Sequence, residues 1–206
     1  YENMNRIVKL LDYKPIGKQT STLSFSVTAD SALPAGLYNI PRYSYIENGQ
    51  KTYSFNEDIV FAKTTALGVS ESLTSISDAK LLYQGQFKEY PVYNAVGNDN
   101  ELVFFNPGVN VLVDHFNIDV YVKHGGIWSK WNKVPSLYLE SAGNKSFEIR
   151  LNENKVYELK FGNNINGIRL DEDDQVAIFY LESTGSAGEV GVNAIRTRGL
   201  IPYSSN

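Results

Sequence analysis

The sequence predicts a mainly β protein, made of two small antiparallel β-sandwich-like modules with one short N-terminal helix. Short runs of alternating apolar and polar residues recur at intervals of roughly ten residues, with turn signals between them, as in antiparallel sandwiches. Aromatic residues make up 13% of the 206 residues and 16 residues are glycine, a composition that favours strands and turns. A single segment shows convincing helical periodicity.

That segment lies at the start of the chain. Met4, Ile7, Val8 and Leu11 occupy positions i, i+3, i+4 and i+7, which places them in one apolar stripe of a helix. Pro15 disfavours helical geometry in the residue before it, so we expect the helix to end there. A short helix must dock on a partner to be stable, which makes Ile7, Val8 and Leu11 candidate interface residues.

The first β module is predicted over residues 17–96. Leu23, Phe25 and Val27 alternate with hydroxylated residues, the period-two pattern of a half-buried strand. The pair Asn48-Gly49 is a strong hairpin signal between two further strands.

The second β module is predicted over residues 97–183. The polar stretch Gly97–Asn100 separates it from the first module, and clean alternation follows at Phe147–Leu151 and Tyr157–Phe161. Val176–Tyr180 is the last predicted strand.

Two further segments flank the modules. Residues 1–16 hold the predicted helix and a linker, and residues 184–206 hold four glycines and are predicted to form an arm. Because the sequence begins with Tyr1 rather than Met, we expect it to be a piece of a longer protein.

Composition excludes several function classes. A formal net charge of -4 argues against binding to nucleic acid or to an anionic membrane surface. The absence of cysteine excludes disulfides, iron–sulfur clusters, thiolate zinc sites and a cysteine nucleophile. No apolar run approaches the roughly 20 residues of a transmembrane helix.

Candidate metal ligands and catalytic groups are sparse. His115 and His124, the only histidines, match no zinc motif, and no serine lies in a G-x-S-x-G turn. The stretches Asn98–Glu101 and Asp171–Asp174 each resemble part of a calcium loop but lack its full pattern of alternate ligands, glycine and distant glutamate. We therefore expect solvated turns at both stretches and predict no catalytic, cofactor-binding or metal-binding residue.

Two tryptophans leave two interpretations open. Trp128 and Trp131 could form a platform on which a sugar stacks, or they could bury their large rings in a core or an interface, which is the commoner use of such rings. Both are therefore candidate interface residues.

The segment from Tyr157 to Gly191 resembles the baseplate J-like (wedge) proteins of contractile-tailed bacteriophages and related contractile injection systems. In that family a strand runs into F-G-D-G-x-x-G-x-x-L, and a second strand that ends in Tyr precedes T-x-G-x-x-G-N. The matching residues are Phe161, Gly162, Gly167, Leu170, Val176, Tyr180, Thr184, Gly185 and Gly188. Gly162 and Gly167 would bracket a tight turn that needs positive φ, and Phe161 and Leu170 would anchor its two ends in the core.

The departures from the family pattern are specific. Asn163 and Asn164 stand where Asp and Gly are usual, and Asn tolerates the left-handed geometry of a tight turn. Asp173-Asp174 replaces Gly-Asp, and Glu189 replaces Asn.

The earlier part of the chain resembles the same family in the same order. Leu10–Pro15 is similar to its helix exit, Leu23–Val27 with Leu33–Gly36 to its first strand and turn, and Tyr53–Asp58 to its F-x-T-x-E-D segment. The resemblance covers most of the chain and is nearest to the middle region of the T-even-type wedge subunits.

The resemblance implies a structural subunit of a tail baseplate, not an enzyme, with no cofactor. Its expected partners are other copies of itself and other wedge proteins around the tail hub, with no nucleic acid, membrane or small-molecule substrate. The expected location is the virion, after assembly in the host cytoplasm. We expect the N-terminal helix and the segment Gly191–Tyr203 to carry much of the contact between subunits.

The sequence leaves two alternative functions open. One is a carbohydrate-binding adhesin or receptor-binding module of a phage tail or bacterial surface. The other is a glycan-degrading enzyme, which would need two carboxylates that face each other across a cleft.

Overall fold

The computed structural model describes residues 18–28, 33–63, 72–74, 80–108, 110–185, 190–191, 195 and 199–203. The helix predicted over Met4–Leu11, and with it Ile7, Val8 and Leu11, lies outside the described residues, as does Gly188.

The described residues are mainly β, which confirms the predicted fold class at that level. They form sixteen strands and one 3-10 turn at Leu137–Leu139. The strands are β1 (Thr22–Leu23), β2 (Ser26–Thr28), β3 (Gly36–Ile40), β4 (Tyr45–Asn48), β5 (Lys51–Phe55), β6 (Ile59–Lys63), β7 (Ser72–Thr74), β8 (Leu82–Gln84), β9 (Gln86–Val96), β10 (Leu102–Phe105), β11 (Val113–His124), β12 (Ile127–Val134), β13 (Ser146–Leu151), β14 (Tyr157–Lys160), β15 (Glu172–Glu182) and β16 (Leu200–Ile201).

The described residues fall into two compact units. The first unit contains Lys18 and residues 88–180, and the second contains residues 19–87 and 181–203. Each unit therefore joins stretches that are distant in sequence. The division into four consecutive segments stays a prediction.

The first unit is built on a nearly closed seven-stranded sheet in the order β10-β14-β13-β12-β11-β15-β9. The sheet is mixed, because β12 and β13 run parallel, with Asn132 opposite Ser146. The expectation of purely antiparallel sheets is wrong at this pair. Two antiparallel neighbours can be joined by a tight hairpin, but parallel strands need a longer connection that returns the chain to the same end of the sheet. Residues 135–145, which include the 3-10 turn, form this connection between β12 and β13.

Alternation along the strands separates the core of the first unit from its outer surface. On β10, Val103 and Phe105 are 1% and 0% exposed, while Leu102 and Phe104 are 45% and 55% exposed. The same period of two places Tyr157 and Leu159 of β14 in the core. Burial of each large apolar side chain contributes about 1.5–3 kcal/mol, so the inner face supplies most of the stability of this unit.

The second unit contains a five-stranded sheet in the order β1-β8-β5-β4-β16, and two-stranded sheets form from β3 with β6 and from β2 with β7. The predicted hairpin at Asn48-Gly49 is confirmed as the β4–β5 connection. Asn48 pairs with Lys51, so Gly49 is the first residue of a two-residue loop, and its φ of 63° is the value that favours glycine there.

Part of the predicted arm belongs to the sheet of the second unit. Strand β16 pairs antiparallel with β4, Leu200 opposite Ile46, and the Tyr203 N–H donates to the Ser44 hydroxyl at 3.1 Å. The Tyr203 ring meets Tyr43 edge to face at 5.5 Å between centroids. This end of the chain therefore stabilises its own unit.

A buried polar network joins distant segments of the second unit. The hydroxyls of Thr20 and Ser183 lie 2.7 Å apart, and Ser183 donates to the Gln84 side-chain oxygen at 2.9 Å. All three residues are buried, so their mutual hydrogen bonds replace those lost to water.

The core tyrosine of β14 generates a pH-dependence prediction. Burial, and then the Asp114 carboxylate, raises the pKa of Tyr157 to about 12 from 10.0. The native state therefore favours the neutral hydroxyl of Tyr157. The contribution of this hydroxyl to the free energy of unfolding is complete below pH 10 and is lost as the pH rises toward 12, because the tyrosine of the unfolded chain releases its proton first. We expect the wild type to lose about 1–2 kcal/mol more unfolding free energy than Tyr157→Phe over this range. Urea denaturation at pH 9 and pH 11.5 measures the difference.

The control is Tyr138→Phe, since Tyr138 is 77% exposed. This variant should follow the wild-type pH dependence. Equal pH dependence in wild type and Tyr157→Phe would contradict the prediction.

Candidate functional site

The segment between β14 and β15 folds into a compact turn whose two ends are buried. Phe161 and Leu170 are both 0% exposed. Between them, the Gly162 N–H donates to the Ile168 carbonyl at 3.1 Å, and the Asn164 N–H donates to the Gly167 carbonyl at 3.0 Å. The residues predicted to form the turn therefore lie together.

Two glycines of this turn approach each other at backbone contact. A Cβ on Gly162 would lie 2.2 Å from the Gly167 oxygen, closer than atoms can approach. Gly167 has a φ of 78°, in the left-handed region that favours glycine. Steric exclusion thus requires glycine at position 162, whereas backbone geometry favours glycine at position 167. The expected positive φ is confirmed at Gly167 and is wrong at Gly162.

The two asparagines that depart from the family pattern stabilise the turn. The Asn163 side-chain oxygen accepts from the backbone N–H groups of Ile165 and Asn166 at 3.1 and 2.8 Å. Asn164 has a φ of 62°, and its side-chain oxygen accepts from the Arg169 N–H at 2.9 Å. The expectation that asparagine tolerates left-handed geometry here is confirmed at Asn164.

The turn also holds neighbouring loops. The Gly162 carbonyl accepts from the Asn100 N–H at 3.0 Å, and the Gly167 N–H donates to the Ser141 carbonyl at 3.2 Å. Tyr180, farther along β15, is 8% exposed and packs on Phe105 at 5.0 Å between ring centroids. Gly185, in the second unit, has a φ of 65°.

The sequence predicted a solvated turn at the first acidic stretch, Asn98–Glu101. This expectation is wrong at Glu101, which is 5% exposed. One carboxylate oxygen accepts from the Tyr93 hydroxyl and the Val96 N–H at 2.9 and 3.0 Å. The other accepts from the Gly97 and Asn98 N–H groups at 3.0 and 3.1 Å. All of its partners are donors of this chain, so Glu101 fixes the 97–100 loop.

The structure separates the two tryptophans. Trp131 is 1% exposed and packs on Phe161 at 5.6 Å between ring centroids, so it belongs to the core and not to an interface. Trp128 is 45% exposed and remains available to a partner. A sugar platform made of both rings is therefore not formed.

The second acidic stretch forms a cluster with His124, which the sequence did not predict. His124 Nδ1 lies 2.6 Å from Asp174 Oδ2, and His124 Nε2 lies 3.8 Å from Asp171 Oδ2. Asp174 is 6% exposed, so the expectation of a solvated turn is wrong at this residue. Among the described residues, these three side chains are the group of histidine and carboxylate ligands close enough to share a metal ion.

A cavity of about 460 Å³ adjoins this cluster. Its lining includes Asp171–Asp174 and, from the tip of the β11–β12 hairpin, Lys123, Gly125 and Gly126. Four carboxylates and one ammonium thus surround the cavity, which makes it attractive to cations.

The second histidine is a packing residue. The His115 ring stacks on Tyr157 at 5.7 Å between centroids. Burial, and then the Lys133 ammonium, lowers the pKa of His115, so its imidazole is neutral near pH 7. Its expected ordinary role agrees with this environment.

Sequence distance explains why the His124 cluster was missed. Fifty residues separate His124 from Asp174, and adjacency of β11 and β15 in the sheet brings them together. The one sequence signal was the acidic run itself, which has the composition of an ordinary turn.

No family model matches the chain, and no curated protein matches it. Within the described residues, no helix has the length and apolar character needed to cross a bilayer.

The contact between the two turn glycines generates a stability prediction. We expect Gly162→Ala to lower the free energy of unfolding by about 3 kcal/mol, because its methyl group would lie 2.2 and 2.3 Å from the backbone oxygen and carbon of Gly167. Gly143→Ala is the matched control, since a Cβ there meets no atom within 4 Å. Urea denaturation should show a change below about 0.5 kcal/mol for this control. Equal stability of Gly162→Ala and wild type would refute the steric argument.

A separate prediction concerns the buried carboxylate of Glu101. In Glu101→Gln an amide NH₂ can replace the oxygen that accepts from Gly97 and Asn98, so donors would face donors. We expect a loss of about 2–4 kcal/mol of unfolding free energy, measured by thermal and urea denaturation. Glu89→Gln, on the exposed surface of β9, should leave stability unchanged. A similar loss in both variants would show that burial of Glu101 is not the cause.

Proposed function

We propose that this chain is a structural subunit of a contractile-tail baseplate, of the wedge type, that assembles with copies of itself and with other wedge proteins. The observation that carries the proposal is the Phe161–Leu170 turn. Four of its residues resemble the baseplate J-like motif in order, and each has a physical role in the turn: the two end residues are buried, and the two glycines are in backbone contact. Asn163 and Asn164 depart from the motif.

The mechanism that we propose is assembly through stiff β modules. Packing of the strands of each unit around its own core would keep the outer surfaces of that unit in a defined orientation, so that contacts with neighbours are reproducible. The chain would need no catalytic activity or cofactor for this role, and its place would be the virion.

One surface of the first unit is suited to contact with a second copy. Leu102 and Phe104, on the outer face of β10, lie opposite Lys160 and Glu158 of β14. The Lys160 ammonium lies 5.7 Å from the ring centroid of Tyr138, which is 77% exposed. We call Leu102, Phe104 and Tyr138 the outer patch.

The charges beside the outer patch favour a symmetric contact. Lys160 and Glu158 have opposite charge and lie on the same face, two residues apart along β14. In a two-fold pair of chains, the lysine of each copy can face the glutamate of the other while the apolar side chains meet. The predicted N-terminal helix stays a further candidate for contact between subunits.

Self-association tests the outer patch. We expect the double variant Leu102→Ser, Phe104→Ser to weaken self-association at least tenfold, because two exposed apolar anchors lose their contact area. Sedimentation velocity over a range of protein concentrations measures the dissociation constant. The matched control is Leu37→Ser, Val60→Ser, two exposed apolar residues of the second unit. A wild type that is monomeric throughout, or an equal effect of the control, would contradict the role of the patch.

The baseplate assignment has its own experiment. Co-expression with the other wedge proteins of a contractile tail, followed by affinity purification and electron microscopy, should yield complexes that contain this chain in defined copy number. Recovery of the chain alone under conditions in which the other wedge proteins assemble would overturn the assignment.

A further inference from the structure

We propose that His124 and Asp171 bind a divalent transition-metal ion, with Asp174 as the residue that positions the imidazole. The proposal concerns the end of β11 and the start of β15, and it does not depend on the baseplate assignment. It rests on the ligand types, on the distances among the three side chains and on the charge around the adjoining cavity.

The contact with Asp174 determines which nitrogen of the His124 ring carries the proton. An ionised carboxylate oxygen can only accept a hydrogen bond, so the 2.6 Å contact with Asp174 places the proton on His124 Nδ1. In a neutral ring the lone pair then lies on Nε2, which is the form in which imidazole binds metals. A carboxylate behind the ring is the arrangement that orients metal-binding histidines in proteins.

On the opposite side of the ring, His124 Nε2 faces the Asp171 carboxylate. His124 Nε2 and Asp171 Oδ2 are 3.8 Å apart, too far for a direct hydrogen bond. Metal–ligand bonds of about 2.0–2.1 Å at a tetrahedral angle place two donors about 3.3–3.4 Å apart across one zinc ion. A small rotation of the Asp171 side chain therefore brings both donors within reach of one ion. The Asp171 side chain is 59% exposed and can move closer without disturbing the core.

Buried neighbours hold the His124 imidazole in one orientation. The Asp174 side chain is 7% exposed, and the same oxygen that meets His124 also accepts the Asp171 N–H at 2.9 Å. The buried Trp131 ring meets the His124 ring edge to face, 6.5 Å between centroids. These contacts restrict the orientation of the ligand before any ion arrives, which lowers the entropic cost of binding.

The two ligand types indicate which ion the site would bind. Imidazole together with carboxylate favours Zn²⁺ and neighbouring transition metals over Mg²⁺ and Ca²⁺, which prefer oxygen ligands alone. Asp171 and Asp174 also line the acidic cavity, whose field attracts a cation. Water can fill the remaining coordination positions, because the His124 and Asp171 side chains are 27% and 59% exposed. With two direct protein ligands, we expect readily exchangeable binding instead of a permanent structural metal.

Calorimetric titration with zinc chloride tests the site. We expect one Zn²⁺ per wild-type chain and affinity at least tenfold weaker in His124→Gln and in Asp171→Asn. Asp173→Asn is the matched control: it removes the same charge from the same run, and asparagine accepts the Asp173 φ of 69°. No zinc binding by wild type, or equal weakening by the control, would overturn the proposal. Retained affinity in His124→Gln would overturn it as well.

The positioning role of Asp174 needs a separate measurement. Long-range ¹H–¹⁵N spectra should show the proton of His124 on Nδ1, and zinc should shift the Nε2 resonance. In Asp174→Asn we expect a mixture of tautomers and about tenfold weaker zinc binding, with thermal denaturation used to select conditions in which the variant is folded. A proton on Nε2 in the wild type, or zinc-induced shifts confined to His115, would refute the assignment.

Discussion

The backbone contact between Gly162 and Gly167 is the constraint on which the first unit depends. It closes the connection between β14 and β15, and its hydrogen bonds reach the loops around Asn100 and Ser141. Because Leu170 is buried directly after the turn, the same contact determines where Asp171 emerges. The turn and the position of Asp171 near His124 therefore both depend on this contact.

At two places in this unit, a buried carboxylate accepts hydrogen bonds from backbone N–H groups of a loop. A loop leaves backbone N–H groups without strand partners, and a carboxylate can accept from several of them at once. Glu101 does so for the 97–100 loop, whereas Asp174 accepts from one backbone N–H and also lies 2.6 Å from His124 Nδ1. The contact with His124 explains how a packing residue could also orient the imidazole at the proposed metal site.

The proposed assembly role and the proposed metal site use different surfaces of the first unit. The outer patch lies on β10 with Tyr138, whereas the His124 cluster lies where β11 ends and β15 begins. A bound ion would link the β11–β12 hairpin to the start of β15, and so stiffen the unit by binding only the folded state. Such stiffness is compatible with a subunit that transmits force, and each proposal stands without the other.

The sequence by itself determined the features that depend on local periodicity and backbone geometry. Alternation predicted the strands at Tyr157–Phe161 and Val176–Tyr180, and glycine chemistry predicted the β4–β5 hairpin and the Phe161–Leu170 turn, because these signals act between near neighbours. Tertiary structure alone decided the parallel pairing of β12 with β13, the burial of Trp131 and the meeting of His124 with Asp174. Sheet order brings together residues that are remote along the chain, and local periodicity does not encode that order.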